Sequence, residues 1–208
     1  DPSDIVVTAA GGLGGEVAQV WKPKQINTFE TDWGYSCMGY EISGALGIKM
    51  AKPKQEVVVF VGDGSYLLNN SDIYSSILYE KKLIIVVCDN SGHMVINRLQ
   101  LAKGGKEYLC NLKTSRATNF IEVDFAAHAA SMGAETETVT STSELESAFL
   151  RAKKSNKTYV IALKTHGYEW LEGTAFWESP TLEVYSTEEN KKAYEEHSKG
   201  KAKQRRGV

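Results

Sequence analysis

The stretch "EVVVFVGDGSYLLNN", Glu56–Asn70, decides how the chain is read. Its apolar run, Val57 to Val61, stops at Gly62-Asp63-Gly64. A short β-branched run bounded by glycines has the composition of a fully buried strand. An acid between two glycines at its end is either a tight turn or a ligand that the glycines let something approach. The choice depends on what the chain brings beside it.

A second buried strand follows at Leu83 to Cys88, "LIIVVC", and ends in Asp89-Asn90. Asn90 lies 27 positions after Asp63, the length of one strand–helix–strand unit. Such a unit places two parallel strands near one another. Asp63 and Asn90 then emerge side by side at the carboxyl edge, where open α/β sheets bind ligands. One carboxylate and one amide oxygen are hard ligands suited to Mg²⁺, with the remaining positions filled by carbonyl, water and phosphate oxygens. A diphosphate completes that shell, and the amides of Gly64 and Ser65 can donate to it. An ordinary Asx-capped turn explains Gly-Asp-Gly alone, but not Asp89-Asn90 at the matching edge.

The rest of the chain is read outward from these strands. Ile5–Ala9 is a strand, and Glu16–Trp21 a helix after a glycine-rich turn. Thr28 and Phe29 form a short strand. The second half of Asp32–Lys52 is a helix whose buried face carries Ile42, Leu46 and Met50. Helices are expected at Ser71–Glu80 (Ile73 and Ile77 inward), Phe125–Met132 and Ser143–Lys153, and strands at Thr136–Val139 and Tyr159–Leu163. Residues 101–120 read as a loop. Alternating strands and helices imply an α/β fold, a three-layer αβα sandwich on a mainly parallel sheet. The expected division is residues 1–165 as that domain and 166–208 as a C-terminal extension. The extension is aromatic-rich, then charged, with Ser186 as N-cap and Glu189 completing a capping box. Its basic end lacks interleaved aromatics, so a solvated helix is expected rather than an RNA-binding tail.

Bulk properties set limits. The 208 residues, 42% of them hydrophobic, suit one α/β domain or one with an appendage. A net charge of -2 gives no electrostatic case for nucleic acid or an anionic membrane. Three irregularly spaced cysteines argue against a disulfide framework and for a cytoplasmic setting. No apolar run reaches the roughly 20 residues of a membrane span. The opening Asp1-Pro2-Ser3-Asp4 has neither Met nor a signal-like segment, so the expectation is a piece of a longer protein. The glycine-rich "AAGGLGGEV" lacks the third glycine of G-x-G-x-x-G, which weakens a dinucleotide assignment and leaves a turn that approaches some phosphate.

Gly62-Asp63-Gly64 followed by Asn90 resembles the thiamine diphosphate motif, and "YSCMGYEISGALGIKMAKP" looks like the segment preceding it in that superfamily. The similarity covers roughly residues 5–165. Within the superfamily, "GYSCMGYEISGALGIKMA" and "GDGSYLLNNSDI" are similar to the trihydroxycyclohexanedione hydrolases of myo-inositol catabolism, as is the tail. The resemblance implies thiamine diphosphate and Mg²⁺ as cofactors. It implies Asp63, Asn90 and the Gly92 carbonyl as metal ligands, and Gly64 and Ser65 as diphosphate contacts, with Gly11 and Gly12 touching the same group. The Ser36 carbonyl would accept from the cofactor's amino group, and Met38 would wedge beneath the thiazolium. It also implies a homo-oligomer, a cyclic 1,2-diketone as substrate, and an activating glutamate from a pyrimidine-binding domain outside this chain. The chain alone would therefore be inactive. An acetolactate synthase-like enzyme, or a non-catalytic module on the same fold, stays open. This sequence departs from the family at His93 and Met94, which replace an aromatic and a glycine, and at Asp89, where many relatives carry Asn. His93 is either a substrate-facing acid/base or a packing residue. Met38 is either the wedge or core. Cys37 has no activating base and is not read as a nucleophile.

Overall fold

A computed structural model describes residues 1–9, 11–115, 119–171 and 181–204. The chain divides into two compact units, Asp1–Gly92 with Ile121–Gly167, and His93–Phe120 with Tyr168–Val208.

The first unit is an α/β layer structure on one six-stranded sheet. In chain order its strands are β1 (Ile5–Thr8), β2 (Phe29–Thr31), β3 (Val57–Gly62), β4 (Ile84–Asp89), β5 (Glu135–Val139) and β6 (Tyr159–Lys164). All pair in parallel, in the order β2-β1-β3-β4-β6-β5. Helices α1 (Gly12–Val20), α2 (Tyr40–Ala51), α3 (Asp63–Leu68), α4 (Asp72–Leu78), α6 (Phe125–Ser131) and α7 (Thr142–Lys154) connect them. Strand side chains alternate between faces, so β1, β3, β4 and β6 each feed two cores. Val57, Val59, Val61, Leu83, Ile85, Val87, Val160 and Ala162 join Ile42, Leu46, Ile73 and Phe125 in one. Val58, Ile84 and Ile161 join Val17, Ala148 and Ala152 in the other. Each fully buried Val or Ile side chain contributes about 1.5–3 kcal/mol.

The strand order sets the place for a ligand. From β1 the chain steps outward to β2 and then crosses back to β3 on β1's other side. The crevice outside the carboxyl ends of β1 and β3 is therefore a topological switch point.

Several local expectations need correction. Helix α1 begins at Gly12, so Gly12, Gly14 and Gly15 lie within it and Gly11 caps it. On α2 the buried row is Ile42, Ala45, Leu46 and Lys49, while Met50 is exposed. Lys49 lays its stem along the core and donates to the Gln55 carbonyl at 2.6 Å, taking the place expected of Met50. The helix expected at Ser71–Glu80 is present as α4, and α3 precedes it; between them Asn69 donates to Gly39 O and Ser43 Oγ. Ile77 is only half-buried; Ser76 is inward instead, bonded to Ile73 O at 2.6 Å and Thr158 Oγ1 at 2.7 Å.

In the second unit, α5 (Met94–Ala102) runs into the segment expected as loop, and a 3₁₀ turn covers Leu112–Thr114. Helix α8 (Glu188–Ala202) is capped by Thr187, whose Oγ1 accepts from Asn190 N at 3.2 Å. Ser186 and Glu189 do not form the expected box, because the helix starts one residue later. Residues 172–180 of the aromatic-rich stretch and 205–208 of the basic end lie outside the described residues.

Candidate functional site

Register places the polar residues at the carboxyl edge. Gly62 pairs with Cys88, and Asp89 pairs with Lys164. The rows Val57-Val59-Val61, Leu83-Ile85-Val87 and Val160-Ala162 share one face. One step of the same alternation further are Asp89 and Lys164, the last residues of β4 and β6, while Asp63 opens α3 directly after β3. The apolar rows thus end in two acids and a base.

Both acids are buried, Asp63 at 3% exposure and Asp89 at 5%. Asp63 Oδ2 accepts from Gly92 N at 2.7 Å. Burial pushes the Asp63 carboxyl well above its ordinary value; the Gly92 and Gly64 amides pull it back, and the neighbouring Asp89 pushes it further up. Asp89 Oδ1 accepts from Ser91 N at 2.8 Å, and its Oδ2 is ion-paired with Lys164, which also pairs with Glu122. At the end of β4, next in sequence to Asp89, Asn90 Oδ1 is sealed from solvent and has no hydrogen-bond partner among the described residues. An orphaned buried acceptor costs about 1–3 kcal/mol unless something fills it. An amide oxygen and a carboxylate at the ends of neighbouring strands have the chemistry of a Mg²⁺ site rather than of a softer metal. Among the described residues no group of three or more His, Cys, Asp or Glu could hold a metal. A cation here would depend on amide and backbone oxygens as well as carboxylate.

The other sequence candidates lie in the turns before α1, α2 and α5 and at the start of α3. Gly11 caps α1 with φ 96°, a conformation that favours glycine, and Gly12 is the first helical residue at the end of β1. A Cβ on Gly14 would lie 1.8 Å from Ala9 O, so α1 approaches the residue that follows β1 too closely for any other residue. Gly64 and Ser65 are buried in the first turn of α3. The Ser65 side chain bonds to Glu41, which is 2% exposed and accepts from Gly39 N at 2.9 Å. Burial raises the Glu41 carboxyl, and these bonds oppose the rise. Glu41 escaped sequence reading because a single acid on an otherwise apolar helix gave no motif. Its burial ties the loop before α2 to the turn after β3. In that loop Ser36 is left-handed at φ 58° and exposed, and Met38 is 41% exposed, so Met38 is not core in this chain. Asp32 Oδ2 accepts from Cys37 N at 3.1 Å, and its carboxylate pushes the Cys37 thiol up, away from nucleophile chemistry. His93 opens α5, its amide donating to Cys110 O at 2.8 Å and its carbonyl accepting from Ile96 and Asn97.

Residues 9–163 match the family model described as "Thiamine pyrophosphate enzyme, C-terminal TPP binding domain". The chain belongs to this family. A 3D-(3,5/4)-trihydroxycyclohexane-1,2-dione hydrolase of Listeria monocytogenes is 41% identical over 197 residues, 94% of this chain and 31% of that protein. One from Halalkalibacterium halodurans is 38% identical over 201 residues, again 94% and 31%. The chain thus spans under a third of the length of these relatives. The thiamine diphosphate-dependent 4-hydroxybenzoylformate decarboxylase of Rhodococcus jostii RHA1 shares the fold, with a TM-score of 0.65 at 17% identity over 79% of this chain and 30% of that one. So does the benzoylformate decarboxylase of Polynucleobacter necessarius, with a TM-score of 0.63 at 21% identity over 82% and 32%. No helix among the described residues is long and apolar enough to cross a membrane.

Proposed function

We propose that this chain is the cofactor-binding part of a thiamine diphosphate-dependent hydrolase. Its reaction would cleave a carbon–carbon bond of a cyclic 1,2-diketone, converting trihydroxycyclohexanedione to 5-deoxyglucuronate in myo-inositol catabolism. The names of relatives that are 38–41% identical over nearly the whole chain support this substrate class. The observation that carries the cofactor assignment is the orphaned Asn90 Oδ1 at the end of β4, the strand paired with the one that leads into buried Asp63.

Asp63, Asn90 and the Gly92 carbonyl would hold Mg²⁺. Gly64, Ser65, Gly11 and Gly12 would contact the diphosphate through their backbone, since the Ser65 hydroxyl is engaged with Glu41. The Ser36 carbonyl and Met38 would face the cofactor's rings. When bound, thiamine diphosphate supplies a nucleophilic carbon and an electron sink. This chain's own residues anchor and orient. Asp63 must be ionised to hold a cation, and a cation at that edge offsets the burial that now disfavours its charge. The activating glutamate would come from a pyrimidine-binding domain of the same protein or another subunit, and the chain alone would open no ring.

The test is a thermal melt with thiamine diphosphate, with and without Mg²⁺, beside Asp63→Ala. Stabilisation of about 2.7 kcal/mol is expected at a hundredfold excess over Kd. It should need Mg²⁺ and vanish in the variant. Consumption of the cyclic diketone by the protein containing this chain, and none by the chain alone, would support the substrate. Consumption of pyruvate instead would replace it with the acetolactate synthase-like alternative.

A further inference from the structure

The loop after β4 holds an improbable shape. Ser91 is left-handed at φ 64° without being glycine, which costs of order 1–2 kcal/mol. Such a residue persists where its surroundings over-determine it. Here the determinant is Asp89. Its Oδ1 accepts from Ser91 N at 2.8 Å, closing a tight turn over Asn90. That turn delivers Gly92 N to Asp63 Oδ2 at 2.7 Å and leaves Asn90 Oδ1 sealed without a partner among the described residues. The other Asp89 oxygen is fixed from the neighbouring strand. Lys164 ends β6 opposite Asp89 in register, pairs with it, and is itself held by Glu122. Thr165 N donates to Asp89 O at 2.8 Å, locking the strand ends together.

We propose that Lys164 is a positioning residue for the cation site: by clamping Asp89 it shapes the loop that presents Asn90 beside Asp63. The inference rests on the Mg²⁺ assignment above, and deepens it by naming what sets the loop and balances its charge. Without Lys164, Asp89 is an uncompensated carboxylate beside Asp63, free to turn from Ser91 N. A neutral Asn at position 89 can keep the bond to Ser91 N without needing the lysine. The charge at Asp89 and the charge at Lys164 are therefore one device.

The test uses the 208-residue chain, with Mn²⁺ as probe in the presence of thiamine diphosphate, followed by electron paramagnetic resonance. Partners behind a metal ligand typically affect affinity about 10–100-fold. Lys164→Met is expected to weaken Mn²⁺ binding about tenfold or more. Asp89→Asn with Lys164→Met should recover to within about threefold of wild type, as expected for coupled neighbours. Hydrogen exchange without metal gives a second readout: the Ser91 and Gly92 amides should exchange about tenfold faster in Lys164→Met and regain protection in the double variant. Wild-type affinity and unchanged exchange in Lys164→Met would overturn the proposal while leaving the cation assignment intact. No Mn²⁺ uptake by wild type would overturn the assignment, and with it the cation-presenting role.

Discussion

Two turns at the same edge of the sheet behave differently. After β5, the residues Thr140 to Glu144 satisfy one another: Glu144 Oε2 accepts from Thr140 N at 2.7 Å and Thr140 Oγ1 at 2.8 Å, while Ser141 Oγ accepts from Glu144 N at 3.2 Å. After β4, a left-handed serine closes the turn, an amide oxygen is left without a partner among the described residues, and Asp89 sits beside a second buried acid. The first turn ends a strand and starts a helix. The second does so while keeping polar groups unspent, which a fold tolerates where a ligand repays the cost. Comparing the two separates the edge as architecture from the edge as binding site.

The largest expected effect tests what both turns stand on. Ile85 is fully buried in the apolar row that leads to Asp89. Ile85→Ala should cost about 2–5 kcal/mol in chemical denaturation. A loss below about 1 kcal/mol would mean that the row is not the support assumed here.

A third turn, after β1, sharpens the contrast by geometry alone. Gly14→Ala drives a methyl against the Ala9 carbonyl and should cost about 1–3 kcal/mol. Gly15→Ala meets only Trp33 at 3.6 Å and should stabilise α1 by about 0.5–1 kcal/mol. Equal effects at the two positions would show that α1 does not press on β1 as described.

The next effect has the opposite sign. Asp63 is raised from 3.8 to about 6, first by burial. A raised acid contributes stability in its protonated form; that contribution is present below its unfolded pKa and is lost as pH rises through the folded one. Without metal, stability should therefore fall between about pH 4 and pH 6. Asp63→Asn should raise metal-free stability at pH 7.5 by about 1–2 kcal/mol, change little at pH 4, and abolish any gain from Mg²⁺ with thiamine diphosphate. A variant less stable than wild type at pH 7.5 without metal would contradict the account of an edge that carries unspent cost.

The sequence made the sheet legible because Val57–Val61 and Leu83–Cys88 are short uninterrupted apolar runs, rich in β-branched residues, as doubly covered parallel strands are. The spacing from Asp63 to Asn90 was legible for the same reason: one crossover fixes which strand ends meet. Lys164 was not, although its register with Asp89 follows from the same alternation, because β6 gave no motif to mark its last residue. Glu41 and Lys49 were hidden by chemistry: period reading assigns buried positions to apolar residues, yet here a carboxyl bonds Gly39 and Ser65 and an ammonium reaches Gln55 O. Thr187 displaced Ser186 as the α8 cap because adjacent hydroxyls offer the same signal one residue apart.

The smallest effect returns to the turn after β5. Ser141→Ala removes the acceptor for Glu144 N and should cost about 1 kcal/mol. Glu144 would still hold Thr140, so the turn should loosen rather than open. The loss should be the same with and without thiamine diphosphate and Mg²⁺, because no group there waits for a ligand. A cofactor-dependent loss would erase the distinction between the two turns. A cofactor-independent one, beside the Mg²⁺-dependence expected at Asp63, would place binding at the ends of β3 and β4 and leave the end of β5 as scaffold.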